Sequence, residues 1–316
     1  MLIQNIDSVP RESYHKEHYH CDYIEILALI NNKDIISISD ICDRYRKNKD
    51  IEETNNENAE DNIPIDDTWR SRIQEWLDNI AVRNSVFNDF YPFTVGHGSI
   101  QLKDNLTNAH KIYIFLLLSS NQAYIPSGNT LPNDFEEVSL IALKNYLPNN
   151  ATSHIFGTTS GEYSGNFEDK VRKLAKNLKY KVKAEATSFQ KNNTGDGGLD
   201  LVAWLPFDED ENQNNMQIFL SQCATGKEWH RKQYETKKIP NCCIDFKSNI
   251  NYVFFMPYDC RNSDRSFAEQ DKIFSGLFFD RTRILSLLKN KIDSVLNLNS
   301  FNSIVNQAIS YEEEIV

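Results

Sequence analysis

The sequence predicts an α/β protein: a mixed central sheet flanked by helices, preceded by a mostly helical N-terminal lobe. Three observations carry that expectation. Between residues 166 and 288, amphipathic stretches of helical period alternate with short apolar runs, the pattern of an α/β unit. Two of those runs, 199–204 and 216–223, flank the polar stretch 206–215 and read as paired strands. Upstream, Trp69, Ile73, Trp76, Leu77 and Ile80 fall on one face of an amphipathic helix.

In chain order, residues 1–46 form a small helical module. Tyr23, Ile24, Ile26, Leu27 and Leu29 mark its first helix; Ser37 or Ser39 caps a second that carries Ile41 and Tyr45. That second helix offers phosphates only Arg44, Arg46 and Lys47, which favours a packing or partner-binding module over a DNA-reading helix-turn-helix. Residues 47–67, rich in Asn and Glu, are expected to be an acidic linker or disordered loop. The helical lobe spans 68–160 and includes buried helices at 112–118 and 135–147. The α/β domain spans 161–300, with a helix at 166–178 and a strand at 180–186 ahead of the paired strands. A helix near 228–238, strands at 252–256 and 276–279, and a helix capped by Asp280 and running through Leu288 complete it. Residues 301–316 are a C-terminal tail.

Charge narrows the partners. The formal net charge is −11, so the chain is not coated in basic residues. The distribution is uneven: residues 48–67 carry one lysine against eight acids, while residues 165–250 carry 14 Lys/Arg against 12 Asp/Glu. The region with the candidate chemistry is therefore not acidic. Six cysteines show no CxxC pair, and the N-terminus lacks signal-peptide order, so a reduced cytoplasm is the simplest home. The longest apolar run, 112–118, falls well short of the ~20 residues that cross a bilayer, so no membrane is expected.

Chemistry concentrates at Gly195-Asp196-Gly197-Gly198-Leu199-Asp200, followed by Gln222-Cys223-Ala224 at the end of the next strand. Asp200 interrupts an apolar strand, where a carboxylate without a partner is costly, and a cation is a natural partner. Asp196 sits inside the turn and better suits a capping role. Gln222 and Ala224 are two residues apart and share a strand face. Glu168 shares a helix face with Val171 and Ala175, which aims its carboxylate at the sheet edge; the plain alternative is a glutamate that complements the helix dipole. Lys227 can swing back from beyond Gly226, with Lys232 a weaker substitute; the plain alternative is a solvated lysine.

Together these pieces resemble the PD-(D/E)XK superfamily, and most closely its Mrr-type branch of restriction endonuclease-like nucleases. The branch begins its helix with Phe-Glu, as at Phe167-Glu168, which here continues to Lys179-Tyr180 where the branch has Gly-Tyr. Its Gly-Gly-x-Asp is matched by Gly197-Gly198-Leu199-Asp200, and its Gln-x-Lys by Gln222-Cys223-Ala224. The resemblance covers about residues 165–260, and it departs at Ala224, which stands where the branch has lysine. It implies a restriction endonuclease-like core that hydrolyses the phosphodiester bonds of double-stranded DNA with Mg2+, for which Mn2+ can substitute. Asp200, the Gln222 carboxamide oxygen and the Cys223 carbonyl would ligate the metal, and Glu168 would bind a second metal or orient water. Lys227 would replace the missing lysine; otherwise the chain is an inactive descendant that still binds DNA or a partner. By analogy the role is anti-phage defence, alongside a separate ATPase or other defence protein, and cutting both strands makes a homodimer an expectation.

Other signals are set aside. His15, His18, His20 and Cys21 have the look of metal ligands, but with no second cluster of matching spacing they read as a surface histidine run. Cys223 reads as a buried strand cysteine rather than a nucleophile. Arg281 and Arg283 suit phosphate contact or surface ion pairing equally.

Overall fold

In a computed structural model, residues 3–31, 34–48, 65–157, 161–183, 197–207 and 214–311 are described. The fold is mixed α/β, and the chain divides into two units. The first comprises residues 1–130, 258–269 and 296–316; the second comprises 131–257 and 270–295.

The first unit is built around α1 (Glu17–Ile30), whose residues from His18 to Ile30 are all buried. A helix buried on every side needs cover on every side. That cover comes from β3, α3, α4 and α10 (ranges below). Strand β1 (Ile36–Ser37) leads into α2 (Ile38–Lys47), and Ser37 closes a capping box with Asp40, which settles the choice between Ser37 and Ser39. Helix α3 (Ile65–Phe87) follows, burying Ile73, Trp76, Leu77 and Ile80 as its period requires. Strands β2 (Phe93–Gly96) and β3 (Ser99–Leu102) make an antiparallel sheet in the order β1-β3-β2. Helix α4 (Asn108–Ser120) is nearly all buried and starts at a Thr107–His110 capping box.

Several buried charges inside this unit are paired. Arg83, fully buried, pairs with Asp22 at 2.7 Å and Glu25 at 3.0 Å, and with Asp259 at 3.2 Å. Tyr91 and Tyr113 donate to Glu25 at 2.9 and 2.8 Å. The sequence reading of 1–46 as a separate module is corrected here: α1 is the centre of a larger core. His18 and His20 are buried, not a surface run, and His20 stacks on Trp76 with centroids 4.2 Å apart.

The second unit begins with α5 (Leu131–Tyr146) and β4 (Thr152–Ile155), both assigned to the helical lobe from sequence. The α5 helix packs on β4 and β7, which makes it a layer of the sheet unit. Strand β4 was missed because Thr152-Ser153-His154-Ile155 is no apolar run. Helix α6 (Phe167–Asn177) is capped by Asn166, whose Oδ1 accepts from Asp169 N at 3.0 Å. The expected strand at 180–186 is reduced to β5 (Lys181–Val182), and the rest of it lies outside the described residues. Strands β6 (Leu201–Leu205) and β7 (Gln217–Cys223) pair antiparallel with Leu201 opposite Ser221. The helix read at 228–238 is α7 (Trp229–Lys232) and a 3-10 turn over Glu235–Lys237. Then come β8 (Ile244–Asp245), β9 (Ile250–Phe255), β10 (Leu277–Phe279), α8 (Arg281–Leu288) and α9 (Ile292–Val295). Asp280 caps α8 as expected, its Oδ1 accepting from Arg283 N at 3.1 Å.

The main sheet has the order β10-β9-β7-β6-β4. Strand β6 pairs antiparallel with both β4 and β7, with α6 and β5 lying between β4 and β6 in the chain; β9 runs parallel to β7, and β10 parallel to β9. A parallel neighbour requires a crossover connection, which here carries α7. Val202, Trp204, Ile218 and Leu220 meet Phe167, Val171 and Leu174 of α6 in one core.

The described residues of the expected tail, 301–311, instead belong to the first unit; the rest of it lies outside the described residues. Phe301, Ile304, Val305 and Ala308 are buried, a spacing of three, four and seven that marks one helical face. They lie on a π-helical turn (Phe301–Val305) and α10 (Asn306–Ser310), and Phe301 stacks on Phe115 at 5.0 Å.

Candidate functional site

Two glycines bring the chain into β6. Gly197 and Gly198 hold φ of +66° and +79°, the left-handed region that glycine enters without strain. A Cβ on Gly197 would lie 2.5 Å from the Phe167 ring, and one on Gly198 would run into Glu235. The turn therefore needs glycine twice, for conformation and for close packing. Gly195 and Asp196 lie outside the described residues.

Asp200 leaves this turn buried, 5 % exposed. Its amide donates to Ser221 O at 2.9 Å, and its carbonyl accepts from Phe156 N at 2.6 Å and Gly157 N at 3.3 Å. Its Oδ2 accepts from Cys223 N at 2.6 Å. That bond brings the carboxylate to the end of β7, beside Gln222 and Ala224. Gln222 is 4 % exposed, and its Oε1 is buried with no hydrogen-bond partner. A carbonyl oxygen so placed costs about 1–3 kcal/mol unless something donates to it or coordinates it.

Two residues that the sequence reading did not select complete the cluster. Glu136 on α5 lies so close to Gly157 that a Cβ there would sit 2.7 Å from its Oε2. Lys170 on α6 is 2 % exposed, and its Nζ donates to Gly157 O at 3.2 Å. A Gly157 without side chain thus lets a carboxylate and an ammonium approach the end of β4. Both residues left a sequence signal. Lys170 is three residues after Phe167 and four before Leu174, a charge set into the apolar stripe of α6. Glu136 follows Phe135, a second Phe-Glu pair one helix upstream of Phe167-Glu168.

Electrostatics agree on who is near. The Cys223 thiol is pushed well above its usual range, first by burial, then by the negative charges of Asp200 and Glu136. That shift keeps it a thiol rather than a nucleophilic thiolate, in a residue that is half-buried. Its amide, meanwhile, holds Asp200.

The structure brings Asp200, Gln222 and Cys223 together, as the spacing required. It does not bring Glu168. That carboxylate is half-exposed and bonded to Arg172 at 2.6 Å on the same helix. Glu168 and Lys170 are two residues apart, roughly 200° around the helix, so the turn that buries Lys170 carries Glu168 away. Lys227 is half-buried in the turn after β7, and Lys232 is exposed on α7; the buried ammonium that reaches the loop hydrogen-bonded to Asp200 is Lys170. Arg281 is buried, its Nε donating to Pro257 O at 2.8 Å, and so is a structural residue rather than a phosphate contact.

The donor set suits a hard divalent cation. Two carboxylates and an unmatched carboxamide oxygen are the oxygen ligands that Mg2+ takes. Among the described residues no helix is long and apolar enough to cross a membrane. No family model matches the chain, and neither the curated proteins nor the solved structures contain a match to it.

Proposed function

We propose that the second unit is a divalent-metal-dependent nuclease centre that hydrolyses phosphodiester bonds in DNA. The observation that carries this reading is Gln222 Oε1, buried without a partner and next in sequence to the amide that holds the Asp200 carboxylate. The coarse architecture supports it: a mixed five-stranded sheet flanked by helices is what the resemblance implies. In that arrangement Glu136, on the helix before the first strand, takes the role first given to Glu168.

Asp200, Glu136 and Gln222 would hold the metal. When bound, Mg2+ supplies a Lewis acid to the phosphate and lowers the pKa of attacking water. The chain's own residues do the rest. The Cys223 amide fixes the Asp200 carboxylate in one rotamer, so no ordering is left for the moment of reaction. Lys170, held by Gly157 O at the end of β4 that Glu136 also approaches, would stand in for the lysine absent at Ala224. It would stabilise negative charge building on the pentavalent phosphate. A role in anti-phage defence, with a separate ATPase as partner, follows from the same resemblance.

A second reading has its own observation. The 2.6 Å bond from Cys223 N satisfies Asp200 Oδ2 without any cation, as in a catalytically inactive subunit that docks DNA or a partner. Supercoiled plasmid separates the two. With Mg2+ or Mn2+ the protein should nick it, EDTA should stop the reaction, and Asp200→Ala should reduce the rate by roughly 100-fold or more while the protein stays folded. Cleavage by Asp200→Ala at the wild-type rate would remove the site, and no cleavage under any metal would favour the docking subunit.

A further inference from the structure

The first unit holds a cluster of different chemistry, assembled from residues distant in sequence. His18 lies in the first turn of α1, and Cys260 and Glu269 stand near the two ends of the 258–269 segment. One ligand atom from each lies within 4.8 Å of the others, and all three residues are buried. Cys260 Sγ and His18 Nε2 are 3.9 Å apart. In a tetrahedral zinc site, with bonds of ~2.3 Å to sulfur and ~2.0 Å to nitrogen, that separation is ~3.6 Å. Neither ring nitrogen of His18 has an ordinary partner: Nε2 faces sulfur, and Nδ1 is buried with no hydrogen bond. Buried imidazoles normally have both nitrogens matched.

The segment bearing the other two ligands is held in shape before any ion arrives. Arg261 bridges Phe267 antiparallel, and Ala268 N donates to Cys260 O at 3.1 Å, so Cys260 and Glu269 flank the closed end of one loop. The charges around the cluster are paired with one another. Arg83 is answered by Asp22, Glu25 and Asp259, and Arg265 is paired to Asp259 at 2.8 Å. The competitor is Lys16, whose Nζ lies 3.2 Å from Glu269 Oε1 and whose side chain is 37 % exposed, free to turn outward.

We propose that His18, Cys260 and Glu269 form a zinc site that clamps the 258–269 loop to α1. One thiolate, one imidazole and one carboxylate select a borderline ion such as Zn2+ over Mg2+ or Ca2+, with a fourth position for a solvent molecule. The site is separate in residues and in metal class from the Asp200 centre, and it stands whether or not that centre cuts DNA.

Metal-free full-length protein titrated with Co2+ tests it. One equivalent should bind and produce a thiolate-to-cobalt charge-transfer band, which Zn2+ then abolishes. Cys260→Ser should remove the band, and His18→Gln should weaken binding by roughly 10-fold or more. Cys242→Ser, at an exposed thiol outside the cluster, should leave the band intact. Lys16→Ala keeps every ligand and removes the competitor, so it should tighten binding; this variant decides the matter if Cys260→Ser fails to fold. No charge-transfer band in the wild type, a band that survives Cys260→Ser, or Lys16→Ala binding no tighter than wild type would overturn the proposal.

Discussion

Lys170 is a buried ammonium whose only hydrogen-bond partner among the described residues is the Gly157 carbonyl. Replacing it with methionine keeps much of the volume and removes the charge. Lys170→Met should lower the cleavage rate by roughly 100-fold while Lys227→Ala stays near wild type, measured as single-turnover plasmid nicking. Equal losses in both variants would move the role back to Lys227. The residue beside it teaches the converse. Glu168 was legible as a carboxylate on the right helix, but spacing cannot say which flank meets the sheet. Arg172, four residues on, offered it a closer partner. Asp200 and Gln222 were legible because strand parity is strict, so a charge between Leu199 and Leu201 had to be explained. Gln222→Leu gives a further test: stability should hold or rise by about 1 kcal/mol in urea unfolding, because an unmatched carbonyl is removed, while cleavage falls.

At the scale of elements, the β6–β7 pair depends on the glycine turn before it. Gly198→Ala would place a methyl at φ +79° and against Glu235, so unfolding should become easier by ~2 kcal/mol or more, with cleavage lost in proportion to unfolded protein. Helix α1 shows a different dependence. Arg83→Met strips a cation from Asp22 and Glu25 while Asp259 keeps Arg265, and breaking such a buried ion-pair network costs about 3–5 kcal/mol, readable as a shifted urea midpoint. Strands β7, β9 and β10 and the Asp280-capped α8 were readable from sequence because each pairs a short apolar run with a clear turn or cap. Strand β4 was not: an edge strand of four residues with alternating burial carries too little apolar signal.

The whole chain crosses between its units more than once, which no local pattern reveals. Residues 258–269 join the first unit between β9 and β10 of the second unit's sheet, and residues 296–311 join it after that sheet. The apolar spacing at Phe301, Ile304, Val305 and Ala308 has a helical period that the reading of 301–316 as a tail passed over, and the spacing does not say what such a helix covers. His18 and Cys260 are 242 residues apart, so the zinc proposal had no footprint in spacing. Charge acts at this scale too. For a chain of net charge −11, binding of duplex DNA should rest on a few lysines and arginines and weaken with salt, with the dissociation constant rising at least ~10-fold between about 50 and 200 mM.

On the proposed reading, Asp200, Glu136 and Gln222 share one hard cation. The most direct measurement is Mn2+ binding followed by electron paramagnetic resonance, with one equivalent of Zn2+ present to occupy the His18 site. Asp200→Asn and Glu136→Gln should each weaken one Mn2+ site by roughly 10-fold or more, with Glu168→Gln and Lys170→Met leaving it in place. Unchanged affinity in Asp200→Asn, or an equal loss in Glu168→Gln, would contradict the account.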